Sequence, residues 1–145
     1  MSNGNLADFI KLIPGKSVGE SQRELQRLFW EAVAQLGIRK WRRGDPYRLT
    51  GRYVLIGLAV YSVYDLRLAR AIVDRNDTRS ATPAVEFFDS SDVTDMEDMQ
   101  RYIPGIGQVY QTPVVGVWQD AVLVEKASGF AGRKLVEREL ALPHR

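Results

Sequence analysis

The chain has 145 residues, 45% apolar and 26% charged, which is the composition of one ordinary globular domain and not of a disordered chain. Its 20 Lys and Arg against 18 Asp and Glu leave +2, too small an excess to argue for nucleic acid or a membrane surface from whole-chain charge. There is no cysteine, which excludes disulfides, thiolate metal sites, iron–sulfur clusters and a cysteine nucleophile; the single histidine, His144, argues against a histidine metal site or triad.

Met1 to Asn5 is polar, without a basic start leading into an apolar run. The longest apolar stretch, Tyr53 to Tyr61, is far too short to cross a bilayer. These features predict a soluble, cytoplasmic protein that does not engage membranes.

Residues 1–19 read as an irregular arm, with Leu6, Phe9, Ile10, Leu12 and Ile13 forming one short amphipathic turn before Pro14. Gly15-Lys16-Ser17 looks like the end of a phosphate-binding loop, but the glycine required five residues earlier is Ile10 and no strand precedes it, so we reject that motif. Ser21-Gln22-Arg23-Glu24 has capping-box spacing and predicts a helix with Leu25, Leu28, Phe29, Ala32 and Leu36 on one face, stopped by Gly37.

The segment 39–52 is basic. It holds Arg39, Lys40, Arg42, Arg43, Arg48 and Arg52 with Asp45 as its one acid, a local charge of +5 against −3 for the remainder. Trp41, Tyr47 and Tyr53 lie among or beside these cations, and Gly44-Asp45-Pro46 is turn chemistry.

Tyr53 to Val60 is a continuous apolar run, predicting a strand covered on both faces. Ser62-Val63-Tyr64-Asp65 follows with S-x-x-D capping spacing and opens a helix whose stripe is Leu66, Ala69, Ile72 and Val73, ending near Asn76-Asp77. Ala84 to Phe88 predicts a second strand, leading into the acids Glu86, Asp89, Asp92, Asp95, Glu97 and Asp98. Thr94-Asp95-Met96-Glu97 predicts another capped helix, with Met96, Met99 and Ile103 inward and Pro104 to Gly107 ending it. The acids of this stretch are better explained by the dipole of that helix start than by a metal or acid–base cluster. Val114 to Trp118 and Ala121 to Ala127 predict a hairpin across Gln119-Asp120, and Ser128-Gly129 releases the chain into a last helix over 132–140.

From Tyr53 onward the order is strand, helix, strand, helix, strand, strand, helix. A right-handed crossover makes the first two strands parallel, and the hairpin adds an antiparallel pair. The expectation is an α/β domain, a mixed central sheet flanked by helices, over 53–145, with residues 1–52 as an arm, added N-terminal helix and basic loop packed on it.

That order, with Gln111-Thr112-Pro113-Val114-Val115-Gly116-Val117-Trp118, the strand after it and Ser128-Gly129, resembles the thioredoxin-like superfamily. The resemblance implies a cis Thr112-Pro113 bond. It also implies that the first helix start, the Thr112-Pro113 loop and the Gly129 turn lie together. Where redox members carry Cys-x-x-Cys, this chain has Val63-Tyr64-Asp65-Leu66; the preceding tryptophan corresponds to Ser62, and the family's buried acid to Gly57. With no thiolate and no resolving thiol, thiol–disulfide exchange and thiol peroxidase chemistry are excluded.

What the resemblance then implies is a redox-inactive protein-binding module without a cofactor. Tyr61, Ser62, Tyr64, Thr112, Pro113 and Gly129 would line a groove for an extended peptide of another protein, serving an adaptor, assembly factor or holdase-like role. Two alternatives stand beside it. In the first, Arg39, Lys40, Trp41, Arg42, Arg43, Arg48 and Arg52 bind an anion or nucleic acid; the small whole-chain excess disfavours nucleic acid, and the same cations could instead meet the acids of 86–98 within the chain or in a second copy. In the second, a Tyr61 or Ser62 hydroxyl serves a glutathione-dependent transferase-like enzyme, against which Ser62 is more simply an N-cap. No metal ligands are proposed.

Overall fold

The computed structural model describes residues 20–35, 37–74, 83–109 and 111–142, with side chains from Gln26 onward except at 73 and 74. The expected turn before Pro14, the Gly15-Lys16-Ser17 run, the Leu25, Leu36 and Val73 side chains, the Asn76-Asp77 helix end and His144 lie outside them.

In chain order the elements are α1 (Glu20–Gln35), β1 (Arg52–Leu58), α2 (Val63–Asp74), β2 (Ala84–Asp89), a short 3-10 turn (Ser90–Asp92), α3 (Met96–Met99), β3 (Val114–Gln119), β4 (Val122–Ser128) and α4 (Gly129–Leu140). The strands form one mixed sheet in the order β2-β1-β3-β4. β1 pairs parallel to β2 and antiparallel to β3, and β3 pairs antiparallel to β4.

β1 is central, and its apolar run is buried on both faces. Val54, Ile56 and Leu58 join one cluster with Phe29, Ala32 and Val33 of α1, Leu66, Ala69 and Ile72 of α2, and Leu135, Val136 and Leu140 of α4. Tyr53 and Leu55 point the other way, into a second cluster with Trp41, Phe88, Met99, Tyr102, Ile103 and Trp118. Each fully buried aliphatic side chain contributes about 1.5–3 kcal/mol. Residues before β1 therefore share the cores of the sheet. They also extend it: Lys40 bridges in parallel to Phe87, and the Trp41 N–H donates to the Phe87 carbonyl at 2.7 Å.

Several boundaries differ from the expected ones for identifiable reasons. Ser21 already has helical backbone in α1, whereas an N-cap requires a non-helical one, so the helix starts before Ser21. The α3 cap is Asp95, not Thr94. Asp95 is extended and accepts the Asp98 N–H at 2.8 Å, so the cap falls one residue later than Thr94-x-x-Glu97 places it; the Asp98 carboxylate in turn accepts the N–H of Thr94, the residue before the cap, at 3.0 Å.

The hairpin turns on Asp120 and Ala121, both at positive φ (49° and 73°), as the primed turns that suit twisted strands require. Asp120 is tied there by accepting the Gly51 N–H at 2.7 Å and donating its own to the Gly51 carbonyl at 3.0 Å. α4 begins at Gly129, three residues before the expected start. Gly129 takes φ 63° and donates its N–H to the Pro113 carbonyl at 2.9 Å, so the last strand enters the last helix directly.

Among the described residues no helix is long and apolar enough to cross a membrane.

Candidate functional site

The carboxyl end of β1 runs through Ala59 and Val60 into the start of α2. Ser62 sits at the α2 N-cap: its carbonyl accepts the Leu66 N–H at 3.0 Å, and its hydroxyl lies 3.4 Å from the Asp65 N–H. In an ordinary capping box Asp65 would turn back to the Ser62 N–H. Instead the Ser62 N–H goes to the Ala59 carbonyl at 2.9 Å, and Asp65 Oδ2 accepts the Ala59 N–H at 2.7 Å. The Thr112 hydroxyl donates to the same carboxylate, and Arg133 adds a favourable charge. Asp65 is only 2% exposed. Burial pushes its carboxyl above the ordinary range, and the Thr112 and Ala59 hydrogen bonds and Arg133 oppose that shift.

Asp65 thus joins the start of α2 to the β3 entry, where the Thr112–Pro113 bond is cis. α4 closes on the same loop. Beyond the Gly129 hydrogen bond, Gly132 lies so near that a Cβ there would stand 2.6 Å from the Pro113 carbonyl oxygen. The next residue, Arg133, donates to the Tyr64 carbonyl at 3.4 Å and to Glu137 Oε2 at 3.2 Å.

These pieces surround a cleft of about 1360 Å³. All six groove residues anticipated from the sequence, Tyr61, Ser62, Tyr64, Thr112, Pro113 and Gly129, line it. Its opposite wall comes from Ser90, Val93, Met96 and Met99, around the short turn and α3. Tyr61 and Tyr64 are solvent-exposed at the rim, as is Phe130. The Ser62 hydroxyl is used at the helix cap, whereas the Tyr61 ring stands in solvent.

Sequence reasoning missed Arg67, Phe130, Arg133 and Glu137 as part of this place, and named Asp65 only as a capping partner. The S-x-x-D spacing signalled Asp65, but not that its carboxylate would serve Ala59 and Thr112.

The basic segment lies elsewhere and is largely satisfied within the chain. Arg39 pairs with the buried Glu86 through two contacts at 2.9 and 3.1 Å, Lys40 with Asp92 at 3.3 Å, Arg43 with the buried Asp98 at 2.6 Å, and Arg52 with Glu139 at 2.9 Å. Arg42 and Arg48 are exposed and make no ion pair among the described residues. The aromatics expected to interleave with these cations are core. Trp41 is 2% exposed and stacks on Tyr47 at 5.2 Å, Tyr47 stacks on Trp118 at 4.5 Å, and the buried Tyr53 hydroxyl donates to Glu86 at 2.7 Å. Trp41 therefore presents no face to a base or anion.

At Gly57, the Phe88 ring covers the backbone: a Cβ there would meet it at 2.3 Å. No group of three or more His, Cys, Asp or Glu among the described residues is arranged to hold a metal ion.

No protein-family model matches the chain, and neither a curated protein nor a solved structure matches it.

Proposed function

We propose that this chain is a thioredoxin-like, redox-inactive recognition module that holds an extended segment of another protein in the cleft beside Thr112 and Pro113, acting in the cytoplasm without chemistry of its own. The observation that carries the reading is convergence. Five residues chosen from two distant stretches of sequence, plus Gly129, line one cleft whose rim exposes Tyr61 and Tyr64. Exposed tyrosines suit partner binding, since each offers a large, stiff, amphipathic surface. The strand order β2-β1-β3-β4 supports the same reading, because it sets the β3 entry beside the first helix start. A peptide running past Thr112 could pair with main-chain groups there, as strand-addition domains do.

The anion-binding alternative loses support on geometry. Its aromatic component is buried, and its cations at 39, 40, 43 and 52 already face carboxylates. The same pairs engage Glu86, Asp92 and Asp98, three of the acids that a charge-matched second copy would need.

The test is affinity capture with the intact protein as bait, comparing wild type with Tyr64→Ala and Thr112→Arg. Tyr64 is exposed, so its truncation leaves the fold intact. The expected result is a discrete partner set lost in both variants. Partners that persist in both variants but vanish when Arg42 and Arg48 become Gln would overturn the reading.

A further inference from the structure

We propose that the chain supplies a first occupant for this cleft itself: residues 6–13, Leu-Ala-Asp-Phe-Ile-Lys-Leu-Ile, which a partner segment must displace. This rests on the peptide-groove reading and adds its regulation.

The inference starts from where α1 begins. Gln26 donates to Asp89 at 2.9 Å and to Ser91 at 2.7 Å, and the Trp30 indole N–H donates to Asp89 at 2.8 Å. Those contacts fix the early half of α1 at the carboxyl end of β2. Ser90 and Val93, on either side of Ser91, form a wall of the cleft. Glu20 opens the helix six residues before Gln26, about 9 Å along its axis. The chain preceding Glu20 therefore joins the described structure beside the cleft. The seven steps from Ile13 to Glu20 span up to about 23 Å when extended, which carries residues 6–13 across that wall.

The chemistry of the two surfaces agrees. Three large apolar side chains that stay exposed, Tyr61, Tyr64 and Phe130, line this cleft, and Ala71, Val93 and Met96 are half-buried on its walls. Leu49 and Val122, also exposed, flank the Gly51–Asp120 contact at the opposite end of the sheet. Six of the eight residues at 6–13 are apolar, and burying them on this apolar lining is favourable. Charge is matched as well. The lining carries three carboxylates and three guanidinium groups, and the segment carries one acid, Asp8, and one base, Lys11. An occupied cleft weakens the apparent affinity for any partner in proportion to the fraction of chains left open.

The absence of cysteine makes the test clean, because two introduced thiols are the only ones present. Leu6→Cys, Ile10→Cys and Ile13→Cys are each combined with Tyr64→Cys or, as the distant control, Leu49→Cys; both of these sites are 72% exposed. A disulfide forms only where the two Cα atoms come within about 7 Å. Under mild oxidation of the full chain, at least one arm position should link to Tyr64→Cys within the monomer about tenfold faster than to Leu49→Cys. Equal rates, or no linkage to Tyr64→Cys, overturn the proposal; a linked dimer alone places the arm on a second copy and overturns it too.

A labelled synthetic peptide of residues 4–15 gives the second readout, by anisotropy. It should bind the full chain carrying Phe9→Ser and Ile10→Ser about fivefold more tightly than wild type, and adding Thr112→Arg should abolish that binding. Equal binding to wild type and the arm variant overturns the occlusion. If the arm fails both tests while partner capture still depends on Thr112, this inference falls and the groove reading stands. If the arm links to Tyr64→Cys but captured partners ignore Thr112→Arg, the cleft seats the arm alone and the groove reading fails.

Discussion

Asp65 and Thr112, 47 positions apart in the sequence, share a hydrogen bond at the cleft floor, and the same carboxylate accepts the Ala59 N–H at 2.7 Å. Three chain segments that would form a peptide groove are thus tied through one buried acid.

The tie has a definite pH signature. Burial raises the folded-state carboxyl above its unfolded value of about 3.9, so the folded chain binds this proton more tightly than the unfolded chain does. The group's contribution to stability is full below that unfolded value and is lost as pH rises through the raised folded one. Asp65→Asn keeps an acceptor for Ala59 and abolishes the ionisation. It should melt at or above wild type at neutral pH, with the gap closing in acid. Asp65→Leu leaves the Ala59 N–H without its partner and should cost about 1–3 kcal/mol. Thermal melts of both variants across pH check this; Asp65→Asn melting well below wild type at neutral pH would contradict it.

Asp98 behaves in the opposite sense. The Thr94 N–H, with Arg43 and Arg101, holds its carboxyl below the ordinary range. Its stabilising effect is therefore present above the unfolded pKa and lost as pH falls through the folded one. Asp98→Asn should lower the melting temperature at neutral pH, and the difference should shrink between about pH 5 and 2. A constant difference across that range would mean that the charge is not what holds Arg43 and the α3 cap.

The Trp41 ring is a core element inside a basic loop, so substitution there should separate packing from charge. Trp41→Ala should destabilise by about 3–5 kcal/mol, while Arg42→Gln next to it should stay within about 0.5 kcal/mol of wild type. Denaturant unfolding monitored by circular dichroism measures both. Near-neutral behaviour of Trp41→Ala would mean that the stack with Tyr47 and Trp118 does not hold the loop.

Gly132 sets the distance between α4 and the Pro113 carbonyl. Gly132→Ala places a methyl against backbone, which cannot rotate aside, and should cost about 1–3 kcal/mol while loosening the Gly129 to Pro113 hydrogen bond. Faster amide exchange at Gly129 in the variant is the specific readout. Unchanged exchange would show that the helix has room to spare.

How much of this was legible in the chain depends on the range of each interaction. The β1 run from Tyr53 announced burial on both faces because an uninterrupted apolar strand has nowhere else to go. The cap at Ser62, the α2 stripe and the β3–β4 hairpin are local and were readable to within a residue or so. The Asp120–Ala121 turn slipped by one because the anchoring contacts come from Gly51, 69 positions away. The basic loop was misleading for the same reason. Arg39 finds Glu86 across 47 positions and Arg43 finds Asp98 across 55, so no window of sequence shows that these charges are matched. Trp41 looked like a ligand-facing aromatic because its neighbours in sequence are polar, while its neighbours in space are Tyr47 and Tyr102. The cleft residues were named through a family resemblance; the Arg67 and Phe130 side chains at its rim come from exposed helix faces, where spacing carries no such signal.

The most direct measurement is a residue-level contact map, taken by titrating the uniformly isotope-labelled 145-residue protein with extended peptides that alternate apolar and polar residues and following amide shifts. The account predicts that the perturbed amides cluster at 61–68, 111–114 and 129–133, around one cleft. Shifts concentrated instead on 39–48, with Thr112 and Tyr64 unmoved, would contradict it.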